Sequence, residues 1–326
     1  MMESKALRQR EYRSIFGPVL SRRLGRSLGV DLMPFKTCNY DCIYCEQGRT
    51  TSHTIHRKNY VPVAVILEEL KHFLASNPAP DYVTLSGAGE PTLHASMGEI
   101  IQEIKRMTDI PLALITNGSL LWDPALRDDL RRVDLLMPSL DAGNATLFNY
   151  INRPVAGISF DKMLNGLIAF RDSFPKEIWL EVMLLAGVSS GESEVREIAG
   201  CVRRIRPDRI QLNTVVRPLA ETFALPIPVK RLELLADMFV PRAEIIAEYK
   251  GPPHALESSP KATQVLELLE RRPCTLEEIA GALGLRIIET AKLLQYLENQ
   301  KIIHEKRFEK DIFFMRLHED KKEAVK

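Results

Sequence analysis

Cysteine is scarce in this chain of 326 residues: there are five, and three of them, Cys38, Cys42 and Cys45, crowd into "KTCNYDCIYCEQG". Long apolar runs are missing, since none approaches the roughly 20 residues of a membrane span, and no membrane partner is expected. The opening "MMESKALRQREYRSIFGPVL" has charges but no apolar h-region, which argues against a secretory leader. The expected location is the cytoplasm, where thiols stay reduced, so the cysteine cluster reads as metal or redox chemistry and not as disulfides. An excess of one charge is absent too. Lys and Arg number 44 against 43 Asp and Glu, a formal net charge of +1, which argues against a strongly basic nucleic-acid binder. Locally, residues 1–30 carry Lys5, Arg8, Arg10, Arg13, Arg22, Arg23 and Arg26 against Glu3 and Glu11. A basic arm over 1–24 is expected, either touching phosphate or simply solvated.

What is present is alternation. Short apolar runs at 28–35, 81–87, 111–118, 133–140, 178–185 and 209–216 read as strands, separated by helical patterns at 62–76, 96–107, 123–131, 160–173 and 191–205, with another at 229–239. Near-continuous apolar strands between helices predict a parallel sheet buried on both faces. Right-handed crossovers would curl it into an α/β fold, a partial (β/α)6 TIM-type barrel over 25–248. Function in such sheets gathers at the carboxyl ends of the strands. Those ends carry "CNYDC", "SGAGEPT", "TNGS", "SLDAG", "LAGVSSGE" and "VVRPLAE", so the polar and glycine-rich motifs converge on one rim.

Gly, Pro and Ser at 249–260 mark a linker. Beyond it, an amphipathic helix, a second helix opened by Thr275 with Glu278 at capping-box spacing, and a third with Ile287, Ile288, Ala291, Leu294 and Leu297 on its apolar face are followed by a hairpin turning near Phe308–Lys310. This order predicts a small winged helix-turn-helix domain over 261–318, with a frayed tail at 319–326. Between Pro260 and Lys326 there are 13 Lys/Arg and 12 Asp/Glu, so no strong electrostatic footprint for nucleic acid is present. The wing, "EKRFEKD", gathers three basic residues, balanced by three acidic ones. A nucleic-acid, protein or peptide partner all fit such a domain, as does plain structural packing.

Cys38, Cys42 and Cys45 follow the first strand with C-x3-C-x2-C spacing. A structural zinc site wants four protein ligands and a simple ferredoxin cluster four cysteines. His53 and His56 lie close but read as loop histidines. Three thiolates on a cubane cluster leave one iron open for substrate chemistry. With Tyr44 before the last cysteine, the stretch resembles the signature of the radical S-adenosylmethionine (SAM) superfamily. The resemblance implies a [4Fe–4S] cluster on the three cysteines, SAM chelated by the open iron, reductive cleavage of SAM, and a 5′-deoxyadenosyl radical that abstracts hydrogen from substrate.

The same resemblance assigns further residues to the SAM site. "GAGEP", with Gly87, Gly89, Glu90 and Pro91, is similar to the motif that holds the SAM ammonium, Glu90 being the acceptor, although Ala88 displaces the first glycine of the family's pair. Ser139 and Asp141 stand where family members place ribose or carboxylate contacts. Asn117 in "TNGS" is a ligand contact or an ordinary Asn-Gly turn. Glu181, a carboxylate inside an apolar strand, must face the lumen or find a partner. Gln211, Asn213 and Arg217 in "QLNTVVRP" are candidates for ligand recognition, and Arg153 is either one more or a surface ion pair. Cys201 and Cys274 read as structural.

"FGPVLSRRLGRSLGVDLMPFKTCNYDCIYC" and "QLNTVVRPLAE" resemble the Fe–S oxidoreductases grouped with the wyosine-type tRNA synthetases. This implies a macromolecular substrate, tRNA ahead of a protein, and an electron donor such as a flavodoxin or ferredoxin. The chain departs from wyosine synthases proper in having no second cysteine group. Two other readings stand beside this one: an activase that installs a glycyl radical in a partner protein, and a transcriptional regulator whose cluster senses oxygen or iron.

Overall fold

The first regular element falls where a basic arm is expected. In the computed structural model, which describes residues 12–216, 219–221, 223–247, 262–285, 287–299 and 301–317, Ile15–Ser21 forms strand β1 and pairs antiparallel with β2 (Gly25–Val30), Ile15 opposite Val30 and Ser21 opposite Gly25. Seven residues of the arm expected over 1–24 are therefore strand, and its residues 1–11 lie outside the described residues. Pro18 obscures the strand in the sequence because proline cannot donate to a ladder. It is tolerated here on an edge strand, where the register shifts between Phe16 and Val19. Arg22 and Arg23 fall in the β1–β2 turn, pointing inward.

After the short β3 (Thr37–Cys38) and β4 (Ser52–His53), strands and helices alternate as the sequence predicts. α1 (Val63–Ser76), β5 (Tyr82–Leu85), α2 (Met97–Met107), β6 (Leu112–Thr116), α3 (Pro124–Asp129) and β7 (Leu135–Pro138) make the first half. α4 (Ala145–Asn152), α5 (Phe160–Ser173), β8 (Glu177–Met183), α6 (Glu192–Ile205), β9 (Arg209–Asn213), α7 (Val229–Ala236) and β10 (Glu244–Ile245) make the second. The sheet runs β1-β2-β5-β6-β7-β8-β9-β10, parallel from β2 onward. This is the α/β parallel architecture of a partial barrel, with β1 and β10 added to the six expected strands.

Side chains alternate along each strand. Leu28, Val30, Val83, Leu85, Leu112, Leu114, Leu180 and Leu212 pack outward into the main core against the helices. Leu24, from the β1–β2 turn, packs with Ala113, Leu135, Met137 and Trp179 in a second cluster that plugs one end of the lumen. Helix starts are capped by side chains: Asp123, Asn144 and Ser159 accept from Ala125, Leu147 and Lys162 N–H. α4, absent from the expected helices, is only eight residues long and is defined chiefly by its Asn144 cap.

The C-terminal elements are α8 (Ala262–Arg271), β11 (Cys274–Thr275), α9 (Leu276–Leu283), α10 (Ile287–Asn299), β12 (Ile303–Phe308) and β13 (Asp311–Arg316), with sheet order β11-β13-β12. The capping box forms as its spacing predicts: Glu278 N–H donates to Thr275 Oγ1 at 3.2 Å and Thr275 N–H to Glu278 Oε2 at 3.0 Å. The hairpin turns at Glu309 and Lys310. α10 differs from expectation. Thr290, Leu294 and Leu297 are buried, whereas Ile287 is 47% exposed and Ala291 is exposed. The inward stripe is thus i, i+4, i+7 from Thr290, because α8 and α9 meet that side in the small core of Val265, Leu268, Leu269 and Ile279. The expected linker and frayed tail lie outside the described residues.

Candidate active site

The cysteine loop leaves β3 at the carboxyl rim and is stitched down from two sides. Asp41 and Ile43 N–H donate to the carbonyls of Asn152 and Ile151 at the end of α4 (3.0 and 2.9 Å), and Ala220 and Glu221 N–H donate to the carbonyls of Cys45 and Ile43 (3.0 and 3.1 Å). Each of the three sulfurs meets a donor. Tyr40 N–H approaches Cys38 Sγ at 3.4 Å, Asn152 Nδ2 approaches Cys42 Sγ at 3.5 Å, and Lys36 Nζ approaches Cys45 Sγ at 3.0 Å. Lys36 is only 3% exposed, so its ammonium is spent on this sulfur. Neither Lys36 nor Asn152 is named by sequence reasoning; only the position of Lys36, two residues before Cys38, could have suggested it.

Burial, with the charge of Glu90 adding to it, pushes the Cys38 thiol up to about 12, and burial beside Asp141 pushes Cys42 well above the ordinary range. Such thiols become thiolates only when a cationic centre is bound. Among the described residues no three His, Cys, Asp or Glu side chains converge on one ion.

The loop 87–91 is fastened to the cysteine loop. Lys36 N–H donates to the Ala88 carbonyl (2.8 Å) and Glu90 N–H to the Thr37 carbonyl (3.1 Å). Both glycines are needed for close approach: a Cβ on Gly89 would stand 2.1 Å from Thr37 O, and one on Gly87 2.0 Å from Asp31 Oδ1. Glu90, expected to be an acceptor for a ligand ammonium, is instead buried. Its carboxylate accepts from Thr92 N (3.0 Å), Thr92 Oγ1 (2.6 Å), Thr116 Oγ1 (2.7 Å) and Asn117 N (2.8 Å). Burial raises its pKa against these four hydrogen bonds. It clasps two rim loops together, with Pro91 opening the intervening 3-10 turn. Asn117 makes the Asn-Gly turn by accepting Ser119 N–H (3.0 Å), and its Nδ2 donates to Asn39 Oδ1 (2.7 Å) beside Cys38.

Asp141 is buried below Cys42. It accepts Asn152 Nδ2 (2.8 Å), Met183 N (3.1 Å) and a short hydrogen bond from Tyr44 Oη. Burial pushes its carboxyl up to about 6 despite these donors, and burial with the Asp141 charge lifts Tyr44 well above the tyrosine range. The backbone of the half-buried Ser139 bridges β8 at Glu181.

Deeper in the lumen, Glu181 finds the partner a buried carboxylate requires. Arg23 makes a short ion pair to it, Asn213 Nδ2 donates to it (2.9 Å), and Arg22 reaches both Asn213 Oδ1 (3.4 Å) and the Ile246 carbonyl (3.0 Å). Burial raises the Glu181 pKa, but the charges of Arg23 and Arg22 and the Asn213 hydrogen bond outweigh it and hold the carboxyl below its usual value. Gln211 joins through Arg23 at 3.4 Å. Glu181 and Asn213 are thus occupied by the chain's own arginines, where ligand contacts are expected. The reason is that the β1–β2 turn enters the lumen instead of lying in solvent. Arg153 is an ion-pair residue, 2.7 Å from Glu221. Arg217 lies outside the described residues.

A rim carrying three cysteines, each with its own donor, beside a glycine loop and at the carboxyl ends of a parallel partial barrel invites comparison with known proteins. The radical SAM superfamily pattern matches residues 32–199. The chain belongs to the radical SAM superfamily.

Among relatives, a protein of Brachyspira hyodysenteriae named GTPase Obg is 39% identical over 93% of this chain, which spans only 45% of that protein. No glycine here precedes a lysine, so the G-K-[ST] phosphate loop is not in this sequence. A UPF0026 protein of Methanocaldococcus jannaschii is 36% identical, covering 72% of this chain and 73% of its own length. Among solved structures, a radical SAM methyltransferase from Sphaerobacter thermophilus superposes with a TM-score of 0.51 at 17% identity over 67% of this chain and 65% of its own, a likeness of fold alone.

Superfamily members use a [4Fe–4S] cluster and SAM. The donor set fits: three sulfurs on one loop, each with a donor that compensates negative charge on sulfur. Cys38, Cys42 and Cys45 would hold the cluster. When bound, cluster and SAM together supply one-electron reductive cleavage of the sulfonium and radical hydrogen abstraction. The chain keeps Lys36 and Asn152 on the sulfurs, with Asp141 holding Asn152 from behind.

Proposed function

We propose that this radical SAM enzyme abstracts a hydrogen atom from a macromolecule, tRNA ahead of a protein, delivered by the C-terminal domain, which we read as a winged helix. One observation carries the reading. Phe308, at the tip of the C-terminal hairpin, packs in one cluster with Ile43 and Tyr44 of the cysteine loop and with Met183, Leu185 and Val215 of the barrel rim. A polymer gripped by the hairpin would therefore lie beside the reacting centre. Lys306, Arg307 and Lys310 are exposed on the same hairpin, interleaved with exposed Glu305, Glu309 and Asp311, so its contacts to a polymer would be local and not those of a uniformly basic face. The resemblance to the wyosine-type group supports tRNA, and Cys38, Cys42, Cys45 and the Gly87–Pro91 loop would hold cluster and SAM. A flavodoxin or ferredoxin would supply the electron.

The roles of the chain follow from its geometry. Tyr44 Oη donates to Asp141 beside Cys42, which would fix the rim next to the cluster. The Arg23–Glu181 pair, with Asn213, fills the lumen below with the chain's own charges.

The test is 5′-deoxyadenosine formation by anaerobically reconstituted, reduced protein with and without bulk tRNA. A tRNA-dependent rise is expected. Turnover indifferent to tRNA, or raised instead by a protein fraction, would refute the tRNA assignment and favour an activase.

A further inference from the structure

The Gly87–Pro91 loop is held on its inner side by Asp31. Oδ2 of this residue accepts Ala88 N–H at 3.1 Å and Oδ1 accepts Met33 N–H at 3.1 Å. The same Oδ2 also receives Nη1 of Arg271, the last residue of α8. The pair is well buried, with side-chain exposures of 16% for Arg271 and 8% for Asp31. The guanidinium carbon lies 3.6 Å from the centroid of the Phe16 ring. Phe16 in turn covers β2 where Gly29 has no side chain; a Cβ there would fall 1.9 Å from Phe16 Cζ.

An arginine of the small domain is therefore threaded between β1 and the loop that closes over the cysteine site. β1 is common to both units: Ile15 belongs to the barrel core, while Val19 packs against the small core of Val265, Leu268 and Ile279. Withdrawal of Arg271 would leave Asp31 buried and without its counter-charge, a costly arrangement. The carboxylate would then turn toward water and release Ala88 N–H. Conversely, a ligand that orders the loop holds Asp31 where Arg271 needs it.

We propose that Arg271 is a positioning residue that couples seating of the C-terminal domain to SAM binding at the Gly87–Pro91 loop. The coupling is reciprocal, as any linkage between two binding equilibria must be. A macromolecule that engages the small domain thereby changes SAM affinity without touching SAM. The inference rests on family membership and stands whether the substrate is tRNA or protein.

The experiment uses the full-length reconstituted protein and SAM alone. SAM is titrated into wild type, Arg271→Met, which keeps the apolar stack on Phe16, Arg271→Lys, and Arg316→Met as control. Arg316 pairs with Glu270 within the small domain at 2.7 Å. In parallel, hydrogen exchange of α8 and α9 is followed in wild type with and without SAM. At equal iron content, Arg271→Met should weaken SAM by about 5- to 20-fold, within the range usual for coupled sites. Arg271→Lys should fall between, and Arg316→Met should match wild type. SAM should slow exchange in wild-type α8, and Arg271→Met should abolish that effect. Wild-type SAM affinity in Arg271→Met, or wild-type α8 exchange that ignores SAM, overturns the proposal. The second arm needs no variant to fold.

Discussion

Gly89→Ala is the sharpest perturbation of the rim, because its effect is set by backbone against backbone. The new Cβ would stand 2.1 Å from the Thr37 carbonyl oxygen and 3.1 Å from Met33 Cβ. Ordinary contact requires the loop to retreat by about 1 Å, and a carbonyl in the cysteine loop cannot swing aside as a flexible side chain would. Retreat breaks the Glu90 N–H to Thr37 hydrogen bond (3.1 Å) and strains the Lys36 N–H to Ala88 bond (2.8 Å). Each lost hydrogen bond costs about 1 kcal/mol, and overpacking adds about 1–3 kcal/mol. The barrel should therefore lose roughly 2–4 kcal/mol in urea unfolding of the iron-free protein. SAM affinity of the reconstituted variant should fall by more than tenfold, since about 1.4 kcal/mol of misplacement is already a factor of ten. Gly281→Ala is the internal control: it lies in α9 with no atom within 4 Å of its Cβ position. It should be neutral or stabilise by up to about 1 kcal/mol. A Gly89→Ala protein that unfolds and binds SAM like wild type would refute the close-approach argument.

Two further outcomes follow from the site. Lys36→Met removes the buried ammonium 3.0 Å from Cys45 Sγ; the reconstituted cluster should become harder to reduce, read as a more negative midpoint in EPR-monitored potentiometry. Asp141, raised to about 6 from 3.8, keeps its proton in the folded chain where the unfolded chain has released it. Its contribution to stability is thus full below about pH 4 and is lost as pH rises to about 6, a swing of about 3 kcal/mol. Asp141→Asn should flatten that part of the urea-stability profile of the iron-free protein.

Much of the barrel is legible in the residues because buried parallel strands must be largely apolar on both faces: "LALIT" is nearly so, and "YVTL" and "WLEVM" each carry one inward polar residue, Thr84 and Glu181. The cysteine spacing is legible because cluster ligands are local in sequence. The Thr275–Glu278 box is legible for the same reason, a cap reaching only three residues. Strand β1 is not, since Pro18 masks an edge strand whose partner shows only after folding. The carboxylates are the plainest case. Glu181 can be seen in the sequence to need a partner, but that the partner is Arg23, 158 residues away, is decided by the β1–β2 turn entering the lumen. Glu90 reads as a free acceptor until β6 brings Thr116 and Asn117 to it. Arg271 reaches Asp31 across 240 residues. The sequence by itself determined the superfamily chemistry and the order of the layers, because periodicity and motif spacing are short-range. Which charged groups remain free for ligand, and which are consumed by the chain, was decided only by the tertiary structure, because ion pairing depends on distances that the chain sets when it closes on itself.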